Sequence, residues 1–127
     1  MKKILVTGSN GLLGQKLTDL CLSDPEIELI ASSKGPNRHP VKQGYIYEDM
    51  DILDPLQIQR VVEKYHPDTI INTAAMTNVD ACESDKENCY ALNVGSVKSL
   101  IRLSEQHNIQ LIHLSTDFIF DGENGPY

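Results

Sequence analysis

Thr7-Gly8-Ser9-Asn10-Gly11-Leu12-Leu13-Gly14 is the stretch on which the fold turns. Ahead of it Ile4-Leu5-Val6 is a short apolar run, and behind it Leu12, Leu13, Leu17, Leu20 and Cys21 recur at helical spacing. Strand, glycine turn and helix follow one another. A GxxGxxG in that setting suits a pyrophosphate. The first helical turn leaves N–H groups unpaired, its dipole favours an anion, and a glycine removes the Cβ that would hold a diphosphate away. Gly8 and Gly11 serve turn and approach, Gly14 lets the helix lie close to the sheet, and Ser9, Asn10, Leu12 and Leu13 complete the candidate dinucleotide-binding loop. The bland alternative is a tight turn that holds no ligand.

Working outward, Glu26 to Ala31 alternates and then runs apolar, which reads as a second strand entering a polar loop over Ser32 to Gly44. Tyr45-Ile46-Tyr47 is a third strand. Asp54-Pro55 opens a helix with an N-cap and a proline at its first position, Val61, Val62 and Tyr65 continue it, and His66-Pro67 ends it. Asp68 to Asn72 is a β-branched fourth strand, Ser84-x-x-Glu87 has the form of a capping box, and Tyr90, Val94, Val97 and Ile101 give the next helix a buried stripe. Ile109 to Leu114 is the fifth strand. Alternating strands and helices predict an α/β protein with a Rossmann-type doubly wound parallel sheet, three layers deep, of about five strands in the order 3-2-1-4-5.

The 127 residues hold one domain or part of one, and 40% hydrophobic with 23% charged residues is a globular balance. Eleven Lys and Arg against eighteen Asp and Glu give a net charge of −7 without a basic stripe, which disfavours nucleic acid. Cys21, Cys82 and Cys89 show neither a CxxC nor a disulfide framework, so no metal site is expected and a cytoplasmic location fits. No run approaches the roughly 18 apolar residues of a membrane span.

In NAD-binding versions of this fold an acid about 20 residues beyond the glycine loop, at the tip of the second strand, takes the ribose hydroxyls. Here the tip is Ser32-Ser33-Lys34, with Arg38 beyond it. Hydroxyls and cations suit a 2′-phosphate, so NADP(H) is favoured over NAD(H). Lys34 and Arg38 as plain solvated loop charges is the competing view.

These residues resemble the extended short-chain dehydrogenase/reductases, and within them the dTDP-4-dehydrorhamnose reductases. Thr7-Gly8-x-x-Gly11-x-x-Gly14 is similar to the superfamily signature. Asn72-Thr73-Ala74-Ala75-Met76-Thr77-Asn78-Val79-Asp80 and Leu114-Ser115-Thr116-Asp117-Phe118-Ile119-Phe120-Asp121-Gly122 are similar to blocks of the reductases. Thr73 stands where alanine is usual, and Met76 where an aromatic or His is. The resemblance implies that Asp51 and Ile52 read the adenine edge, the lesser alternative being that Asp51 is a solvated loop acid or caps a turn. It implies that Ala74, Ala75 and Thr77 border the cofactor and that Asn93 braces the site from the long helix, where a satisfied core Asn is the alternative. Thr116 is the candidate catalytic residue, hydrogen-bonded to the carbonyl that receives hydride. His66, His107 and His113 show no catalytic partner in the sequence.

The resemblance further implies a nucleotide-sugar substrate and a homodimer contact. Some members use Mg²⁺ there, but no ligand set in the chain requires it. The Tyr-x-x-x-Lys of the family is absent at every tyrosine, so residues 1–127 read as the cofactor-binding portion of a longer enzyme. Without a sixth strand, Ile109 to Leu114 would be an open apolar edge, which predicts self-association or marginal stability. Two other readings remain open. One is a dinucleotide-binding module like the regulatory subunit of methionine adenosyltransferase. The other is a sugar-nucleotide epimerase or dehydratase.

Overall fold

In chain order the elements are β1 (Lys2–Thr7), α1 (Leu12–Leu22), β2 (Ile27–Ser33), β3 (Ile46–Asp49), α2 (Pro55–Tyr65), β4 (Thr69–Asn72), α3 (Ser96–His107) and β5 (Gln110–His113). They come from a computed structural model that describes residues 2–73 and 94–113. All pairings are parallel and the strand order is β3-β2-β1-β4-β5, as the alternation of elements predicts. Ser32 and Ser33 belong to β2 rather than to the loop after it, because they stay paired with Thr7 of β1 and with Glu48 and Asp49 of β3. β3 likewise begins one residue after Tyr45 and runs two beyond Tyr47.

Side-chain alternation along the strands sorts the core into two halves. Leu5, Ile30 and Ile70 pack on one face with Ile58, Val61 and Val62 of α2 and Leu100 and Leu103 of α3. Ile4, Val6, Leu29 and Ala31 pack on the other with Cys21 of α1. Each fully buried aliphatic side chain contributes about 1.5–3 kcal/mol. Among the described residues, two helices on one face and one on the other make the three layers.

Local chemistry sets the helix ends. Asp54 caps α2 by accepting from the Leu56 N–H at 3.0 Å, Pro55 takes the first position, and His66 closes the helix in the left-handed region at φ 49°. Asn108 ends α3 in the same way at φ 57°. Beside the edge strand β3, Glu48 accepts from Tyr65 Oη at 2.5 Å and Lys64 Nζ at 3.2 Å, both from the last turn of α2.

Packing selects the buried face of each helix, and the expected stripe of α3 is corrected. On α1 the buried residues are Gly14, Thr18 and Cys21, while Leu12 is 80% exposed and Leu20 66%. At Gly14 the helix lies so close to the glycine turn that no side chain fits, since a Cβ there would stand 2.2 Å from the Gly8 carbonyl oxygen, and farther along Leu17 is half-buried against the core. On α3 the buried set is Ser96, Leu100, Leu103 and Ser104, and Ile101 is 43% exposed. The two stripes share one period but differ in rotation about the axis, and packing on α2 and β5 selects the second. Tyr90 and the Ser84-x-x-Glu87 box lie outside the described residues.

Candidate functional site

The carboxyl ends of β1, β2, β3 and β4 open on one cleft of about 350 Å³. Its walls are Thr7, Gly8 and Gly11 from the glycine turn, Ser32, Ser33 and Lys34 from the tip of β2, Met50 to Leu53 after β3, and Thr73 after β4. β1 and β4 are neighbours whose connections leave in opposite directions, so the cleft lies at the switch point of the sheet. Open α/β sheets bind ligands there.

The glycine turn is built to receive an anion. Gly8 has φ 72°, a conformation that side chains with a Cβ rarely adopt. Gly11 is the N-cap of α1 and brings no side-chain cap, and no acidic residue stands in the first helical turn. The N–H groups of that turn therefore keep their donor capacity. Ser9 is 2% exposed and its Oγ is hydrogen-bonded to no described residue. Thr73 Oγ donates to the carbonyl oxygens of Thr7 at 2.7 Å and Gly8 at 3.2 Å, which ties the end of β4 to the turn. The departure from alanine at this position thus has a structural use that the sequence alone does not reveal.

At the tip of β2 the side chains diverge. Ser32 lines the cleft, but its hydroxyl donates to the Val6 carbonyl at 3.0 Å and is committed to the sheet. Ser33 is half-buried, and the Lys34 ammonium stands 4.0 Å from Asp51 Oδ2 with its side chain 79% exposed. Such an exposed pair is weak. Asp51 Oδ1 accepts from the Leu53 N–H at 2.9 Å, so this carboxylate caps a turn and borders the cleft at once. Ile52 closes the same wall. Arg38 is exposed and does not line the cleft. Its N–H donates to Asn10 Oδ1 at 2.8 Å, and its positive charge acts on the Tyr47 hydroxyl. Burial, the larger influence, pushes the Tyr47 pKa up.

Two features escape sequence reasoning. Thr7, Asn72 and His113 are register partners across β1, β4 and β5, and their side chains form a row: Thr7 Oγ donates to Asn72 Oδ1, and Asn72 Nδ2 lies 3.0 Å from His113 Nδ1. His39 is the buried residue of the loop after β2 and reaches Asp19 on α1. Neither partner is near in sequence, so no local pattern announces them. Ala74, Ala75, Thr77, Asn93 and Thr116 lie outside the described residues. Among the described residues no cluster of His, Cys, Asp and Glu could hold a metal ion, and no helix is long and apolar enough to cross a membrane.

An open parallel sheet with a glycine turn and a cleft at its switch point defines a Rossmann-type protein. The family model for the RmlD substrate binding domain matches residues 1–127, and the chain belongs to that family. It is 30% identical over 128 residues to the dTDP-4-dehydrorhamnose reductase of Aggregatibacter actinomycetemcomitans, matching 100% of this chain and 39% of that protein. A solved structure of a hypothetical dTDP-4-dehydrorhamnose reductase from Sulfolobus tokodaii superposes with TM-score 0.78 at 36% identity, covering 100% of this chain and 43% of that one. Methionine adenosyltransferase 2 subunit beta of Rattus norvegicus is 28% identical, with 99% of this chain and 36% of that protein matched. The chain thus spans roughly two fifths of the length of the relatives it matches.

Proposed function

We propose that residues 1–127 are the NADP(H)-binding portion of a dTDP-4-dehydrorhamnose reductase, an oxidoreductase acting on the 4-keto group of a dTDP-deoxysugar in dTDP-L-rhamnose synthesis. The observation that carries this reading is the cleft itself, whose floor is an uncapped helix N-terminus and whose β2 side offers Ser33 and Lys34 where an NAD-binding site has an acid. The named reductase relatives supply the substrate class.

In this reading the turn from Gly8 to Gly14 holds the pyrophosphate, Lys34 and Arg38 meet a 2′-phosphate, and Asp51 and Ile52 face the adenine edge. Ala74, Ala75, Thr77 and Asn93 border the remainder of the cofactor. A nicotinamide held there would supply the hydride. Thr116 hydrogen-bonds the receiving carbonyl as its oxygen becomes negative, and a tyrosine with its lysine, from sequence beyond Tyr127, supplies the proton.

Fluorescence titration with NADPH and NADH tests the reading. Saturable NADPH binding, about tenfold tighter than NADH, is the expected result, a gap of about 1.4 kcal/mol. Equal affinities would remove the roles of Lys34 and Arg38, and no binding of either would overturn the function. The relative among methionine adenosyltransferase subunits keeps a second reading in view, a dinucleotide-binding module without turnover. Reduction of a dTDP-4-keto sugar by the full-length protein excludes it.

A further inference from the structure

The loop between β2 and β3, residues 34 to 45, carries Arg38 and contains Gly35, Pro36, Pro40 and Gly44. Holding the backbone of such a segment in one conformation opposes its conformational entropy. Two anchors flank Arg38. On its amino-terminal side the Asn10 carboxamide bridges the loop in both directions, donating from Nδ2 to the Pro36 carbonyl at 2.9 Å and accepting the Arg38 N–H at 2.8 Å.

On the carboxyl-terminal side is His39, whose ring is only 3% exposed. Its Nδ1 accepts from the Val41 N–H at 3.0 Å, so Nε2 carries the hydrogen that it shares with Asp19 Oδ1, 2.8 Å away on α1. Tyr45 packs edge-on against the imidazole at 6.2 Å between ring centres, and its hydroxyl donates to the Val41 carbonyl. His39 does not line the cleft, and with both ring nitrogens engaged it anchors the loop that carries Arg38 to α1.

We propose that His39, locked to α1 through Asp19, is a positioning and specificity-determining residue that holds Arg38 in place for the 2′-phosphate of NADP(H). The inference rests on the dinucleotide-binding reading above. It adds that the preference for a phosphorylated ribose depends on an anchor outside the cleft, reached through α1. Asn10 ties the same loop to the glycine turn.

The test compares NADPH and NADH affinities, by fluorescence titration, for the chain and for His39→Ala, Asp19→Ala, Arg38→Ala and the double variant Asp19→Ala/Arg38→Ala. Asp19 is exposed, so its truncation keeps the fold even where loss of the buried imidazole does not. The expected result is a five- to tenfold loss of NADPH affinity in each single variant, with NADH affinity changed less than twofold. The double variant should lose no more than Arg38→Ala alone, because both changes disable one contact. A merely structural role of His39 would weaken both cofactors alike.

If the unaltered chain prefers NADPH while Asp19→Ala and His39→Ala leave the ratio unchanged, or if the losses add in the double variant, the inference is overturned and the cofactor reading stands. An unaltered chain that binds both nucleotides equally also overturns it. One that binds neither overturns the reading and the inference together.

Discussion

Asn72 and His113 face one another in register on β4 and β5, and their side chains meet with Asn72 Nδ2 at 3.0 Å from His113 Nδ1. Thr7 Oγ donates to the other end of the same carboxamide, which orients its nitrogen toward the imidazole. The histidine Nδ1 is then an acceptor and Nε2 carries the hydrogen. The row crosses β1, β4 and β5 at the residues just before the glycine turn and Thr73, so it fixes the carboxyl edge on which the cleft is built.

Replacing Asn72, which is fully buried, by alanine removes the acceptor of the Thr7 hydroxyl and opens a small void beside it. The expected loss is about 1–3 kcal/mol of stability. A urea unfolding midpoint measured beside that of the unaltered chain checks it. An unchanged midpoint would show that the row contributes nothing to the fold.

Gly14→Ala brings a methyl group to within 2.2 Å of the Gly8 carbonyl and 2.6 Å of Ser9 Cα, both backbone atoms that cannot swing aside. The helix must shift away from β1. The expected outcome is a destabilisation of about 1–3 kcal/mol together with loss of NADPH binding. Thermal unfolding and the fluorescence titration report the two effects separately.

Glu48 accepts from Tyr65, Lys64 and Arg60, and the tyrosine hydrogen bond, followed by the two cations against a partial offset from burial, holds its carboxyl below the usual 4.5. A lowered folded-state pKa contributes stability that is complete above the ordinary value and lost as pH falls through the folded value. Glu48→Gln should therefore be about 1 kcal/mol less stable than the unaltered chain at pH 7. The gap should narrow below about pH 4.5 and close once the folded carboxyl is protonated. Urea titrations at a series of acidic pH values check the sign, and a gap that widened in acid would refute it.

Among the described residues β5 is hydrogen-bonded to β4 alone, and Ile112 on β5 and Ile101 on α3 are exposed apolar side chains. An open apolar edge of this kind pairs with another chain. The 127-residue chain is expected to elute with an apparent mass that rises with concentration in size-exclusion chromatography, and Ile112→Lys to reduce the rise. A single monomer peak at all concentrations would overturn the expectation.

Much of this molecule is legible before folding. The GxxGxxG between a strand and a helix announces the turn, because only glycine tolerates the Gly8 conformation and the Gly14 approach. Asp54-Pro55 and His66-Pro67 announce both ends of α2, because caps are local chemistry. The β-branched runs alternate with helices, and the parallel order follows from that alternation.

Which face of a helix is buried is decided only by what packs on it. Leu12, Leu13 and Leu20 of α1 keep the helical period and still point outward, while Thr18, Cys21 and the half-buried Leu17 meet the core. The same holds for Ile101 against Leu100 and Leu103 on α3. Long-range polar pairs belong to the same class. His39 meets Asp19, Asn10 meets Arg38, and Asn72 meets His113 across separations of 20 to 41 residues, and no local pattern encodes such a meeting. Local sequence determined the elements and the glycine turn, since their energetics are settled within a few residues. Tertiary structure decided the buried faces and the anchors of the cleft, since those depend on volume and on hydrogen-bond partners brought from distant parts of the chain.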